Sequence, residues 1–253
     1  MFEGRPALPA SVARQLRQES GFGCAVCGNP IVEYHHIIPW HERHHFEPKH
    51  MVAVCPTHHT ELGKLPQHKA YTAKNNPINI RRGLIQGYLG GNKSQKAIRL
   101  GGIVALNCRS VLDFSGISLF SYKMVGGEFK LDVFLPDQQL WPEIEVKSNE
   151  MKALTAGFWD IEYKVNWVKF RRAHRDIFLE IDFRKDEVEI DGRFNILGTD
   201  IDLKMEKTQI GTNTFSQIHV ENCGTGLRLG PKGRILRPNF AMATPTLKHF
   251  PFM

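Results

Sequence analysis

Aspartate is missing from the first 95 residues of this 253-residue chain, where 11 Lys or Arg residues face only 6 Glu residues. This part therefore carries +5 of the total net charge of +7. It also holds nine of the twelve histidines, between His35 and His68. A basic, histidine-rich segment indicates a polyanionic partner, together with metal-binding or acid–base chemistry in the same part of the chain.

The sequence also lacks long apolar runs. It contains no stretch of 18 apolar residues and no charged-then-apolar leader, so neither a transmembrane helix nor a signal peptide is predicted. Cysteine is scarce: there are five, an odd number, and three of them lie in metal-ligand spacing. The expected setting is the reducing cytoplasm, with metal-binding rather than disulfide-bonded cysteines and no membrane partner.

Four potential metal ligands occur in two close pairs. Cys24 and Cys27 form the first pair, with two residues between them, and Cys55 and His58 form the second pair with the same spacing. Two such pairs suit a tetrahedral zinc ion that keeps no open coordination position. A structural zinc site is therefore predicted; the alternative is a set of buried side chains without metal, which two correctly spaced pairs disfavour.

Four further histidines lie between and beside these pairs: His35, His36, His50 and His59. Their spacing does not fit the same four-ligand cage, so they are available for another role. A strand predicted over residues 31–37 would place His35 and His36 on opposite faces. These two neighbours are therefore expected to have different functions.

Two segments carry a family resemblance: Glu33-Tyr-His-His-Ile-Ile-Pro39 and Cys55-Pro-Thr-His-His59. Together with the first cysteine pair, they resemble the HNH endonucleases with the ββα-metal fold, in the subgroup that has zinc knuckles. The resemblance covers about residues 11–72. The chain departs from the family pattern twice: His58 replaces the last knuckle cysteine, which zinc tolerates, and His50 stands where the family usually has asparagine.

The resemblance implies a metal-dependent endonuclease that hydrolyses the phosphodiester bonds of DNA. In that family pattern, His36 is the general base, and His35 and His59 are ligands of a catalytic divalent cation (Mg²⁺, Mn²⁺, Ni²⁺ or Zn²⁺). His50 is either a third ligand or a residue that orders the loop. Glu33 is expected to hydrogen-bond a histidine ring and fix its tautomer. A free imidazole beside a cation suits proton removal from water near neutral pH.

Arg43 and four other histidines lie in the same segment. Arg43 is a candidate contact for the scissile phosphate. His41, His44, His45 and His68 are predicted to be surface histidines. Nucleases of this type occur in restriction, antiviral defence and mobile elements, so a bacterial or phage setting is implied by the resemblance. The alternative from a different functional class is a zinc-dependent module that binds nucleic acid without cutting it.

The predicted fold class is α+β, with two domains. Residues 1–92 are expected to form the ββα-metal (HNH) domain with structural zinc, and residues 93–253 an all-β domain, either a β-sandwich or a β-solenoid, with an extended tail from Pro231. Glycines near residues 83–91 indicate the boundary. Strands are predicted at residues 102–106, 129–135, 143–147, 177–183, 187–190 and 201–205, and residues 218–229 resemble one rung of a solenoid. The β domain is expected to recognise a target, bind a partner protein or form a homodimer.

One other group of residues competes for a nuclease function. Asp132, Glu145 and Lys147 lie on consecutive predicted strands, in the arrangement of nucleases in which two carboxylates hold the metal ion and a lysine assists the water. A β-hairpin with alternating polar residues is the simpler interpretation of the same pattern.

Overall fold

The computed structural model describes residues 6–90 and 95–236. Its contacts divide the chain into two units: unit 1 comprises Met1–Gln86 and Leu154–Lys164, and unit 2 comprises Gly87–Ala153 and Val165–Met253. The boundary predicted near residue 92 lies outside the described residues, as does most of the predicted C-terminal tail. The protein is a mixed α+β chain that is mostly sheet with few helices. The predicted α+β class is therefore confirmed.

The α-helices of the described residues are short and lie in unit 1. Helix α1 begins at Ala10, and no side chain caps its N-terminus. Pro56 occupies the first turn of its helix, where its missing N–H costs nothing. No described helix has the length and apolar character needed to span a bilayer. The helices are α1 (Ala10–Glu19), α2 (Pro56–Leu62), α3 (Gln67–Asn75) and α4 (Ile78–Arg82), and Pro48–His50 forms a 3₁₀ turn.

Most of the described chain is extended. The strands are β1 (Glu33–His36), β2 (Met51–Val54), β3 (Leu84–Tyr88), β4 (Ala97–Leu100), β5 (Ile103–Phe114), β6 (Ile117–Val125), β7 (Glu128–Pro136), β8 (Pro142–Lys147), β9 (Glu150–Leu154), β10 (Asp160–Lys164), β11 (Trp167–Ala173), β12 (Asp176–Asp182), β13 (Val188–Ile196), β14 (Thr199–Lys204), β15 (Lys207–Ile210), β16 (Asn213–Phe215) and β17 (Ile218–Leu229).

Unit 1 is built on a two-stranded sheet followed by a helix. β1 and β2 are antiparallel, with Glu33 opposite Val54 and His36 opposite Met51. Every residue of β2 is buried, because this strand has core on both sides: one buried cluster contains Val52 and Val54, and the other contains Met51 and Ala53. The chain then enters α2, which contacts both strands.

A buried ion pair stabilises unit 1. The Arg17 guanidinium donates to both carboxylate oxygens of Asp160, at 2.9 and 2.7 Å, and to the Tyr34 hydroxyl at 2.7 Å. The Arg17 and Asp160 side chains are only 13% and 4% exposed. Since a bidentate contact with little water is stronger than a surface ion pair, it fixes α1 to β10 and to the strand that carries His35 and His36.

Unit 2 contains a curled sheet in which most neighbours are antiparallel and consecutive in sequence. β4 to β9 follow one another in this way, and so do β11 to β16. Two pairings are parallel: β4 with β13, and β5 with β17. The prediction of a β-rich region is therefore correct in outline. The arrangement is a meander rather than the stacked parallel coils of a solenoid, because hairpin connections pair each strand with the next one.

Asp191 in β13 lies among other carboxylates. It is opposite Glu180 of β12. Burial, followed by the charges of Glu180 and Glu189, raises the pKa of Asp191 to about 6, although Arg99 and Lys169 oppose the rise. The folded protein therefore binds this proton more tightly than the unfolded chain. The stability linked to this proton is complete below the ordinary pKa of 3.8 and is lost as the pH rises through about 6.

Substitution Asp191→Asn is therefore expected to stabilise the protein at neutral pH. The amide keeps the shape of the protonated acid and removes the unfavourable charge. Allowing for solvent screening of this half-exposed group, we expect a gain of about 1 kcal/mol at pH 7. Thermal melts at pH 7 and pH 4 check this, because the gain should shrink at the lower pH. Glu206→Gln, at an exposed position, is the control; equal gains from both variants would contradict the explanation.

Candidate metal centre and histidine site

The four predicted zinc ligands come together in the structure. The ligand atoms of Cys24, Cys27, Cys55 and His58 all lie within 4.8 Å of one another. The His58 Nδ1 lies 3.5 Å from the Cys24 Sγ and 3.2 Å from the Cys55 Sγ, and the Cys27 and Cys55 sulfurs are 3.9 Å apart. Ligands around a tetrahedral zinc ion, with bonds of about 2.0–2.3 Å, stand roughly 3.5–3.8 Å apart. The group could therefore bind a structural metal ion.

The acidities in this group show the effect of crowding. Burial opposes ionisation of Cys55, but hydrogen bonds from His58 and from the neighbouring thiols outweigh it and lower the pKa of Cys55 to about 7. Burial raises the pKa of Cys27 to about 11, and the nearby Cys24 adds to this rise. One thiolate in so small a space disfavours a second. A dication among the sulfurs would remove this repulsion and favour the thiolate form of each cysteine.

The loop that carries the first cysteine pair is held by Asn79, a residue that the sequence pattern does not indicate. The Asn79 side chain is 3% exposed, and its Nδ2 donates to the carbonyls of Gly21 and Gly28 at 3.2 Å each. A Cβ at Gly21, Gly23 or Gly28 would collide with Asn79. Gly21 and Gly28 also have φ of +67° and +80°, a region that favours glycine. The three glycines around Cys24 are the signal that something packs closely against this loop.

Helix α2 presents two neighbouring histidines to different places. His58 belongs to the cysteine group. His59 lies on another side, where its Nδ1 is 3.5 Å from a carboxylate oxygen of Glu33 and its ring centroid is 5.1 Å from that of His35. Glu33 is thus placed where it can accept a hydrogen bond from a histidine ring and fix its tautomer.

Three of the predicted site histidines line one cavity. His35, His36 and His59 surround a space of about 330 Å³, whose wall also includes Trp40 and Tyr34. Burial, followed by the charges of His59 and His36, lowers the pKa of His35 to about 4. His35 is therefore neutral near pH 7, which is the form of imidazole that binds metal ions. Within the described residues, the group at Cys24 is the one place where three or more potential ligands converge.

His36 is fixed in orientation by the backbone. Its side chain is almost buried, with the residue 8% exposed, and its Nε2 lies 3.0 Å from the carbonyl oxygen of His45. A carbonyl oxygen only accepts hydrogen bonds, so the Nε2 must carry the hydrogen. The neutral ring then has its lone pair on Nδ1. The general base predicted at this position is therefore far less exposed than a surface histidine, although it still forms part of the cavity wall.

His45 is the functional residue that the sequence pattern misses. It is predicted as a surface histidine, and this is wrong: the structure buries it, at 7% exposure. The Glu47 N–H donates to its Nδ1 at 3.2 Å, and its Nε2–H donates to the Ile38 carbonyl at 3.1 Å. Both ring nitrogens thus hold the loop that supplies the carbonyl for His36. The surface prediction holds for His41, His44 and His68, which are exposed.

His50 lies outside the histidine cavity. Its Nδ1 is 2.6 Å from the Tyr71 hydroxyl on α3, and it is not among the described residues that line the space around His35. Partial burial, followed by the charge of Lys49, lowers the pKa of His50. Its backbone carbonyl accepts from the Ile37 N–H at 2.8 Å. Of the two predicted roles, this geometry favours ordering of the loop over ligation of a metal ion.

Arg43 forms an ion pair with Glu47 in the same loop. Its guanidinium is half exposed, and Arg43 is not among the described residues of the cavity wall. Contact with a phosphate would therefore require Arg43 to leave Glu47, a change that a surface pair permits at little cost.

The competing group on unit 2 serves its own hairpin. β7 and β8 pair as predicted for a β-hairpin, with Phe134 opposite Glu145. The Lys147 ammonium lies 2.8 Å from the Glu145 carboxylate, and the Ser148 N–H donates to the Asp132 carboxylate at 2.6 Å. These contacts account for all three polar side chains as parts of the hairpin.

Comparison of the chain with protein-family models, with curated proteins and with solved structures finds no match. What the protein does must therefore be inferred from its own residues. The structure contains two candidate functional sites: the Cys24, Cys27, Cys55 and His58 group, and the cavity beside His35, His36 and His59.

Proposed function

We propose that the protein is a metal-dependent endonuclease of the HNH type that hydrolyses phosphodiester bonds of DNA. The observation that supports this most strongly is the convergence of His35, His36 and His59 on one cavity. In this proposal, β1, β2 and α2 form the ββα-metal element, and zinc held by the cysteine group is purely structural. A solely structural zinc module would have no use for three further imidazoles around one space.

His36 acts as the general base. In this role its imidazole takes a proton from a water molecule in the cavity, while its Nε2–H stays bonded to the His45 carbonyl. That carbonyl dipole stabilises the positive charge that the ring gains on protonation. The same hydrogen bond holds the ring in one orientation, so little reorganisation is needed when the proton moves.

His35 and His59 would hold the divalent cation, and Glu33 would orient the ring of His59. When bound, the cation supplies relief of negative charge on the phosphate and its leaving oxygen. Two neutral imidazoles suit Ni²⁺ and Zn²⁺ best, whereas Mg²⁺ and Mn²⁺ prefer oxygen ligands and would retain more water. All four ions therefore belong in the activity assay.

DNA is proposed as the substrate because the charge and the histidines occur together. The first 95 residues carry +5 of the net charge of +7, and a basic surface attracts the phosphate backbone without reading its sequence. Unit 2 would then recognise a target, bind a partner protein or form a homodimer. Cleavage of supercoiled plasmid tests the homodimer, because a monomer is expected to nick the plasmid and a dimer to linearise it.

A second candidate is a zinc-dependent protein that binds nucleic acid without cutting it. One observation favours it: in the part of the chain that the structure describes, only the cysteine group assembles three or more potential ligands. Plasmid incubated with purified protein and each of the four ions separates the candidates. Binding in a gel-shift assay with no cleavage under any ion, from protein that holds zinc and is folded, would favour this second function.

Substitution of His45 is expected to reduce cleavage while DNA affinity is retained. His45→Ala removes both hydrogen bonds that shape the loop, so the carbonyl that orients His36 shifts, and we expect a loss of about tenfold in single-turnover rate. His45→Gln keeps a donor near the Nε2 position and should recover part of the rate. His44→Ala, at the exposed neighbour, is the control. Loss of binding in proportion to rate would show that His45 is only structural.

A further inference from the structure

Unit 2 contains a pair of thiols outside the site described above. Cys108 of β5 lies opposite Cys223 of β17 in the parallel pairing of these strands. Their sulfurs are 2.9 Å apart. Cys108 is buried and Cys223 is partly exposed. The pair therefore combines a protected thiol with one that solvent can reach.

The backbone brings these cysteines together by the same irregularity in both strands. Asn107 and Asn222, which immediately precede them, have φ of 50° and 52°, and the Asn107 amide donates to the Asn222 side-chain carbonyl at 2.7 Å. Adjacent strands lie about 4.8 Å apart, which falls within the Cα separation that a disulfide spans. The two sulfurs can thus be joined without a change of register.

The cavity at this pair is cationic. It measures about 890 Å³, and its wall includes Lys96, Arg109 and Lys123 as well as both cysteines. No aspartate or glutamate is among the described residues of this wall. Three positive charges without a carboxylate in the wall favour an anionic ligand, and two neighbouring thiols are chemically suited to react with a disulfide.

We propose that Cys108 and Cys223 form a redox-active dithiol that is oxidised by a small anionic disulfide bound in this cavity. The Cys223 thiolate attacks one sulfur of the small disulfide, which forms a mixed disulfide and releases one thiolate. The Cys108 sulfur, after losing its proton, attacks the Cys223 sulfur and displaces the second thiolate. Two cysteines are thereby oxidised to one disulfide, the small disulfide is reduced to two thiols, and the two protons pass to the leaving thiolates.

The product would join β17 to β5 covalently. Burial, followed by the proximity of Cys108, raises the pKa of Cys223 to about 11, so the thiolate is scarce at neutral pH and its attack on a disulfide is slow. Oxidation then closes a loop between residues 108 and 223 and restricts the unfolded chain. A melting temperature several degrees higher in the oxidised form is the expected consequence.

Zinc-loaded full-length protein treated with glutathione disulfide provides the test. Peptide mapping is expected to recover a Cys108–Cys223 cross-link that dithiothreitol reverses, and Cys223→Ser should yield none. Hydroxyethyl disulfide, which is uncharged, serves as the comparison. Once both reagents are normalised to their rates with a free small thiol, oxidation should be about tenfold faster with the anionic reagent.

The charge requirement is tested at exposed positions, where folding is not at risk. Combined Lys96→Gln, Arg109→Gln and Lys123→Gln substitutions should abolish the preference for glutathione disulfide, whereas Lys152→Gln, at an exposed residue that is not among those of the cavity wall, should leave it intact. Two free, alkylatable thiols after exposure of the wild-type protein would overturn the dithiol. Equal normalised rates for the two reagents would overturn the anionic ligand. Neither result depends on whether the protein cuts DNA.

Discussion

Replacement of Cys24 by alanine is expected to release zinc and to unfold most of unit 1. Cys24 is 0% exposed and lies in a small core that includes Val54 and Leu62, which is too little apolar surface to stabilise this fold alone. A structural zinc ion in a small module contributes about 10–16 kcal/mol of apparent binding energy, much of which is folding energy. Elemental analysis should show the loss of one zinc per chain, and limited proteolysis should show that residues 11–72 become sensitive.

Two control variants distinguish loss of the metal ion from loss of a cysteine or histidine elsewhere in the chain. Cys223→Ala removes a cysteine in unit 2, and His68→Ala removes an exposed histidine near α2; both should keep zinc and the wild-type protease pattern. A strong chelator should reproduce the Cys24→Ala pattern in the wild-type protein, and added zinc should reverse it. A chelated protein that melts and digests like the zinc-loaded one would show that the four ligands are not a structural metal site.

The local features of the site are those that the sequence predicts well. The two ligand pairs are set by spacing within a loop and within one turn of helix, so Cys24, Cys27, Cys55 and His58 follow from the pattern alone. Part of the strand predicted over residues 31–37 is also confirmed, since Glu33–His36 forms β1. Short-range geometry decides these elements, and the sequence contains all of it.

The groups that hold the site in place depend on distant residues. Asn79 lies 51 residues beyond Gly28, whose carbonyl accepts its hydrogen bond. Tyr71 meets His50 from another helix. The burial of His45 depends on the path of the loop after β1, and its neighbours Arg43 and His44 give the segment a polar character typical of the surface. No periodic pattern marks any of these residues, because each acts at a single position in the folded unit.

The β region shows the same limit. Predicted segments match parts of β5, β7, β8, β12, β13 and β14, since alternating and β-branched residues identify strands. The parallel pairing of β5 with β17 joins residues 115 positions apart, as Cys108 and Cys223 illustrate. Strand pairing at such a distance depends on the whole sheet rather than on either segment, so the dithiol could not be predicted from spacing.

The placement of His36 links the fold to the proposed chemistry. β1 fixes the backbone of His36 beside its partner strand, and the loop held by His45 supplies the carbonyl that sets its tautomer. His35 and His59 then face the same cavity from β1 and α2. Cys55 and His58 lie at the start of α2, which also carries His59, so a metal ion bound by the cysteine group would help to hold this helix in place.

Substitution His36→Ala is expected to reduce plasmid cleavage by about 10²–10⁴-fold, the range for loss of a general base. DNA affinity and zinc content should stay at wild-type levels, since His36 is almost buried and is not one of the four ligands of the cysteine group. Single-turnover cleavage in the best of the four metal ions, with gel shifts in parallel, provides the measurement. His41→Ala, at an exposed histidine of the same cavity wall, controls for the removal of an imidazole.

Lys147→Ala distinguishes this site from the carboxylate hairpin of unit 2. Because the Lys147 ammonium is largely exposed, pairs with Glu145 in the hairpin and is not among the described residues that line the histidine cavity, its removal should leave the cleavage rate within about twofold of wild type. The opposite pattern, in which Lys147→Ala stops cleavage and His36→Ala does not, would move the active site to Asp132 and Glu145. His36 is almost buried but lines a cavity, so it can act as a general base only if water and the DNA phosphate enter that cavity. Loss of cleavage in His36→Ala, with cleavage retained in Lys147→Ala, would therefore also indicate that the cavity admits DNA.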